Sequence, residues 1–266
     1  MLISIRNWFC LATVVSLILS SAPAQANIDD AEAINKAGRQ RMLSQRIARN
    51  YLMIGSDVNT QDAIRELENN INLFEQQYDE LTVYAPNEVI QKNLETVAQI
   101  WQKFKATVQE KPQWEHSLSV IELSDQLLSA SEAVVQEVAK HANHQAGQLV
   151  NISGRQRMLS QRIAKLYMAR AWSLQSEDIE IAMNTAIYEF DNSLQKLRQS
   201  NLNSDVINTK LYTIQKQWNY ANASFKISDK GFFVPTVVSV TTDSILRRMD
   251  DITYDYEQLM IAKTSQ

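Results

Sequence analysis

The sequence predicts an all-α protein made of two tandem up-and-down four-helix bundles, with a pseudo-two-fold pairing of their first helices. Three observations carry this. Chain breakers are scarce, with 5 Gly and 4 Pro in 266 residues, so helices run long. Extended alternation of Val, Ile and Thr is scarce too, which argues against a large sheet. One arginine-rich segment also occurs twice, Gly38 to Ala48 returning without a difference as Gly154 to Ala164, and such self-similarity marks a tandem architecture.

In chain order, residues 1–26 are expected to be a signal peptide rather than structure. Arg6 gives a weakly positive start, Trp8 to Leu19 is an apolar run, and Ala24-Gln25-Ala26 has the small-residue pattern of a cleavage site. The apolar run is short of the ~20 residues a bilayer crossing needs, so cleavage before Asn27 and export to the periplasm or beyond are expected, with no membrane insertion afterwards. Cys10 is the only cysteine; the mature chain then has no thiol, disulfide or cysteine metal site. Without Arg6 it carries 25 basic against 30 acidic side chains, which does not favour nucleic acid. The apolar run Phe232 to Val240 contains Pro235 and is too short to span a membrane.

The duplication divides the remainder into module 1, residues 27–142, and module 2, residues 143–266. Its offset is 116 at Asn35 and Asn151, and Phe74 and Leu81 fall on Phe190 and Leu197. The register then drifts to 117 at Trp101 and Trp218, and to 118 at Asp125 and Asp243. Turn signals at Gly55 to Asn59, Ala85-Pro86-Asn87 and Lys111-Pro112 cut module 1 into four helices. Ser176-Glu177-Asp178, Ser204-Asp205 and Ser228 to Pro235 do the same in module 2. Short connections favour antiparallel neighbours, hence up-and-down bundles. Between Ser117 and Ser176 there is no proline, so the last helix of module 1 can run, with or without a kink, into the first of module 2. Trp101, Trp218, Met53, Met168 and Met183 read as core side chains rather than a ligand box.

At 3.6 residues per turn, Ile34, Gly38, Arg41, Met42, Gln45 and Leu52 share one face of the first helix, while Leu43, Ile47, Tyr51 and Ile54 share another. The second face suits packing within its own bundle, and the first suits meeting the duplicate helix with its Gly154, Arg157, Met158 and Gln161. Side-chain-free Gly38 and Gly154 permit close approach at a helix propensity cost of about 0.8–1 kcal/mol each. Crossing there sets Arg41 against Arg157, and two permanently charged guanidiniums repel unless an anion sits between them. A planar oxyanion fits, because each guanidinium is a flat fork with two parallel donors. Four charge-assisted hydrogen bonds, each worth roughly 1.5–3 kcal/mol, would support an affinity in the micromolar range. Arg39, Arg46, Arg49, Arg155, Arg162 and Lys165 read instead as a solvated or salt-bridged face. His141 and His144 have i, i+3 spacing but no third ligand, so no metal is expected; no cofactor or catalytic motif occurs, so no enzyme is expected.

Ala33-Ile34-Asn35-Lys36-Ala37-Gly38, followed by Arg41-Met42 and Ser44-Gln45-Arg46, resembles the P-box helix of the nitrate/nitrite sensor kinase NarX and the opening helix of PilJ-type chemoreceptor sensor domains. The resemblance is specific over the motif, occurs twice, and extends weakly along both four-helix patterns. It implies a periplasmic four-helix sensor in which nitrate binds where two P-box helices meet. The anion-contacting arginine then falls on Arg41 and Arg157, the motif glycine on Gly38 and Gly154, and the motif asparagine on Asn35 and Asn151. Met42, Met158, Gln45 and Gln161 complete the expected ligand-binding set. Ile152 and Ser153 stand where the first copy has Lys36 and Ala37, so an asymmetric site is expected.

The sequence shows no flanking membrane helices and no downstream kinase or methyl-accepting domain. The expectation is therefore a soluble periplasmic sensor or binding protein for nitrate, nitrite or a similar oxyanion, serving a membrane sensor kinase or chemoreceptor in signal transduction or chemotaxis. The alternative is a protein-interaction module that docks on such a receptor without a small ligand. The pattern fits pairing within one chain or between the chains of a swapped dimer equally well.

Overall fold

A computed structural model describes residues 28–174, 176–228 and 233–264. The expected signal peptide and its cleavage site lie outside these residues. The fold is all-α: α1 (Asp30–Gly55), α2 (Thr60–Tyr84), α3 (Glu88–Gln109) and, after a 3-10 turn at Trp114–His116, α4 (Ser117–Ala142) form one four-helix set. The second set is α5 (Gln145–Ala171), α6 (Glu177–Arg198), α7 (Asp205–Ser228) and α8 (Pro235–Thr264). No helix among the described residues is long and apolar enough to cross a membrane.

Local chemistry starts these helices where the turn signals lie. Side-chain oxygens of Asp29, Asn87 and Ser176 accept from the amides of Glu32, Ile90 and Ile179 at 2.8, 3.0 and 3.2 Å, and such caps are each worth ~1 kcal/mol. Pro235 occupies the first position of α8, where its missing N–H costs nothing. The stretch from Ser117 to Ser176 is not one helix. It breaks at Asn143, whose backbone is left-handed (φ 43°), and His144 then caps α5, its Nδ1 accepting from Ala146 N at 3.1 Å. His144 thus stands outside the helix that carries His141, and their helical spacing does not place them on one face. Among the described residues no cluster of three His, Cys, Asp or Glu side chains could hold a metal.

α1 packs against α2, α4 and α5, and α5 against α1, α6 and α8, so the two motif helices form the spine of the molecule. They meet within one chain and run parallel: Ile34 lies by Gly147, Gly38 by Gly154, and Arg49 reaches Gln161. A single apolar core continues through both halves. Each half carries a stacked Phe–Trp pair with centroids 3.9 Å apart, Phe74 on Trp101 and Phe190 on Trp218. The indole N–H groups donate to Glu75 and Asp191 at 3.2 and 2.5 Å, so both tryptophans are core residues with satisfied polar edges. At the end of the spine a methyl group on Gly55 would lie 2.2 Å from the Trp172 ring; glycine there lets the loop after α5 seat its indole on α1.

Candidate functional site

The crossing of α1 and α5 brings together six of the predicted site residues: Gly38, Gly154, Arg41, Arg157, Asn35 and Asn151. A methyl group placed on Gly154 would lie 3.2 Å from Arg157 Nη2, 3.4 Å from Arg41 Nη2 and 4.0 Å from Gly38 Cα. Both guanidiniums therefore converge on the point where the helices touch. Each also reaches over the crossing to the opposite helix. Arg41 Nη2 donates to the Asn151 carbonyl at 3.3 Å, and Arg157 Nη2 donates to Asn35 Oδ1 at 2.7 Å and to the Asn35 carbonyl at 3.4 Å.

Their mutual repulsion is offset from within the protein. Arg41 Nη1 pairs with Glu132 of α4 at 2.6 Å, and Arg157 Nη1 makes a short pair with Asp250 of α8. Both arginines are fully buried, and burial lowers their pKa values, Arg157's to about 10 despite the opposing pull of Asp250. They remain charged at neutral pH. Burial would raise the carboxylates of Glu132 and Asp250, but the charges of Arg41 and Arg157 hold them below their usual values. Among the described residues the Nε atoms of Arg41 and Arg157 are buried without a partner, an uncommon state for a buried donor.

The wider arginine set is a salt-bridged network with buried members, and a fully solvated face is excluded. Arg49 and Lys165, at equivalent positions, are buried to 1% and 0% exposure. Arg49 pairs with Asp243 at 2.5 Å and Glu66 at 2.8 Å, and Lys165 with Asp125 at 2.7 Å. Burial draws the Lys165 ammonium down to about 8, with Asp125 opposing. Arg39 and Arg155 reach Asp250 and Glu132, the carboxylates that hold Arg157 and Arg41. The pairs Arg49–Asp243, Lys165–Asp125, Arg39–Asp250 and Arg155–Glu132 all join the first helix of one module to the last helix of the other.

Sequence reasoning assigned α1 two working faces, whereas α1 is buried nearly all round. Gln45 and Gln161 consequently serve the interior: Gln45 Nε2 donates to Ser124 O at 2.9 Å, and Gln161 Oε1 accepts from Arg49 at 2.8 Å. Met42 and Met158 are buried apolar side chains, Met158 on the floor of a cleft. Lys36 pairs with Glu32 and with Glu80 of α2, both at 2.6 Å, so its replacement by Ile152 alters a flank rather than the crossing. The asymmetry at the crossing comes instead from Asn35, whose Nδ2 also donates to Glu257 at 2.7 Å, and from Glu132 facing Asp250. Glu132 and Asp250 were missed. They share the 118-residue offset of Asp125 and Asp243, and that repeated acidic position was the signal available.

Comparison with known proteins adds the family. No curated protein and no solved structure matches the chain. The family described as "Type IV pili methyl-accepting chemotaxis transducer N-term", PilJ, matches residues 25–134 and again 138–231. This is a signalling sensor family rather than a catalytic one. With both four-helix sets covered over most of their length, the chain belongs to the PilJ family of chemotaxis transducer N-terminal domains, in two copies.

Proposed function

We propose that modules 27–142 and 143–266 form one extracytoplasmic sensor unit that takes a small planar oxyanion, nitrate or nitrite foremost, between Arg41 and Arg157. The observation that carries this reading is the convergence of two buried guanidiniums, one from each copy, on the Gly38–Gly154 contact, each with an unpartnered Nε. Glu132 and Asp250 act in this reading as built-in counter-ions of the unliganded state. Both border surface clefts, so an incoming anion has a route to exchange with them. Exchange swaps one anion for another without uncovering a buried charge, which is the condition for a low-cost switch. Since α4 and α8 carry these carboxylates, ligand exchange would loosen both closing helices from the spine and so report to a membrane partner.

The test is calorimetry on residues 27–266 with nitrate and nitrite, against chloride and sulfate. Arg41→Lys and Arg157→Lys keep the charge but lose the planar fork, and circular dichroism checks their fold. Saturable heat that disappears in both variants is expected; no heat from folded wild-type protein refutes the reading. The docking alternative has its own support in the apolar side chains that module 2 exposes, including Tyr188, Tyr220 and Ile181 at 68, 66 and 56%. Binding to a receptor sensor domain that nitrate leaves unchanged would favour it.

A further inference from the structure

The two copies differ at one place where the difference opens a cavity. In module 1 the Glu66 side chain of α2 lies over the basic face of α1, its Oε1 3.1 Å from Arg46 and its Oε2 2.8 Å from Arg49. At the 116-residue offset the equivalents of Arg46 and Arg49 are Arg162 and Lys165, and the equivalent of Glu66 is Ala182. This register is secure over α2 and α6, because Gln40 and Gln156 donate to the carbonyls of Phe74 and Phe190 at 3.0 and 2.9 Å. Asn69 and Asn70 are likewise replaced by the smaller Thr185 and Ala186. A cleft of about 370 Å³ results between α4, α5 and α6.

Its walls have a definite chemistry. Arg162 enters from α5 with Asp125 as its one ion-pair partner among the described residues, at 3.3 and 3.4 Å, where Arg46 has both Glu66 and Asp243. Leu128, Met158, Leu159 and Ala186 give an apolar floor. Three carboxylates also face the space, and each is already held: Asp125 by Lys165 and Arg162, Glu132 by Arg41 and Arg155, Glu189 by Arg155. At one end of the cleft Arg162 and Lys165 share the single carboxylate of Asp125, where Arg46 and Arg49 share Glu66 and Asp243, so a negative charge that module 1 supplies at this point has no counterpart here.

We infer that this cleft is a second binding site, for a small aliphatic monocarboxylate. The ligand's carboxylate lodges against Arg162 as the Glu66 carboxylate lodges against Arg46, and its hydrocarbon tail rests on the apolar floor. Module 1 shows the filled arrangement with a side chain of the protein in place of the ligand. A bare inorganic anion lacks the tail that the floor would cover, so this site differs in ligand from the Arg41–Arg157 crossing, and Glu132 borders both.

The inference is tested by titrating acetate, propionate and butyrate into the mature chain at constant ionic strength, with chloride as control, and repeating the titrations on Ala182→Glu. Restoring the glutamate should raise the melting temperature and weaken butyrate binding about tenfold or more, the loss of roughly one charge-assisted contact. Arg162→Gln, which removes the charge and keeps a polar side chain, should weaken butyrate in the same way and serves if Ala182→Glu does not fold. Absence of saturable butyrate heat in wild type overturns the inference. So does butyrate binding that survives in a folded variant, since the site would then lie elsewhere.

Discussion

Neutralising Glu132 is the sharpest probe of the crossing. Arg41 is fully buried, and beyond Glu132 at 2.6 Å its guanidinium has the Asn151 carbonyl at 3.3 Å. Glu132→Gln leaves that charge inside with neutral acceptors only. Removing one partner of a buried ion pair costs about 3–5 kcal/mol; the Glu132 side chain is 22% exposed and glutamine keeps an acceptor, so about 3 kcal/mol is expected. For a chain of this size that lowers the melting temperature by roughly 6–12 °C. Asp250→Asn should cost less, about 1–2 kcal/mol, because Asp250 is 45% exposed and Arg157 retains Asn35 Oδ1 at 2.7 Å. Urea unfolding followed by far-UV circular dichroism gives both values, with Asp62→Asn, in a solvent-exposed pair with Arg65, as a control expected to change stability by under about 1 kcal/mol. Losses below about 1 kcal/mol for Glu132→Gln, or an Asp250→Asn cost that matches or exceeds it, would refute the claim that these carboxylates compensate buried charge. If the crossing also takes nitrate, the anion should restore Glu132→Gln by about 2.7 kcal/mol at a hundredfold excess over its Kd.

Acid should unfold the protein earlier than its size suggests. Asp125, Glu132 and Asp250 lie below their usual values of 3.8, 4.5 and 3.8 when folded; the stability they contribute is complete above those values and is lost as pH falls through the lower folded ones. Glu75 and Glu80 are likewise held below 4.5; Glu257 is raised above 4.5 and opposes this, its contribution being full in acid and lost as pH rises, but it is one group against five. A melting temperature that holds constant from about pH 6 to about pH 3 would contradict the assignment. Tyr51→Phe and Tyr167→Phe should each cost about 1 kcal/mol in urea unfolding, since their hydroxyls accept from Gln113 N at 3.1 Å and Val234 N at 2.7 Å and hold the segments before α4 and α8. Gly55→Ala should destabilise by about 1–3 kcal/mol and perturb Trp172 fluorescence, because the added methyl collides with that ring; a neutral or stabilising outcome would mean the loop seats otherwise.

The helical class and the central pairing were legible because they depend on short-range pattern. Gly38 and Arg41 recur with their neighbours, and a repeated glycine beside a repeated arginine marks a close crossing of like helices. The turn at Ala85-Pro86-Asn87 was legible because proline and an asparagine cap act locally. Asn143 was not, since a left-handed break needs neither glycine nor proline. Glu132 and Asp250 were hidden for another reason. They lie about ninety residues from the arginines they hold, and on α4 or α8 alone each reads as an ordinary surface acid. The burial of Arg49 and Lys165 escaped notice because a charged face is normally solvent-directed; here three helices enclose it.

The parallel spine joins two copies of one helix by peptide bonds rather than by association. A symmetric dimer has an assembly equilibrium, and every substitution in it appears on both sides at once. A fused pair has neither restriction. Its halves meet at any dilution, so its melting temperature should not vary with protein concentration. Each side can also take a replacement that its twin does not share. Arg49 against Lys165, and Glu66 against Ala182, are such one-sided changes, and fusion lets one half specialise while the other keeps the original packing.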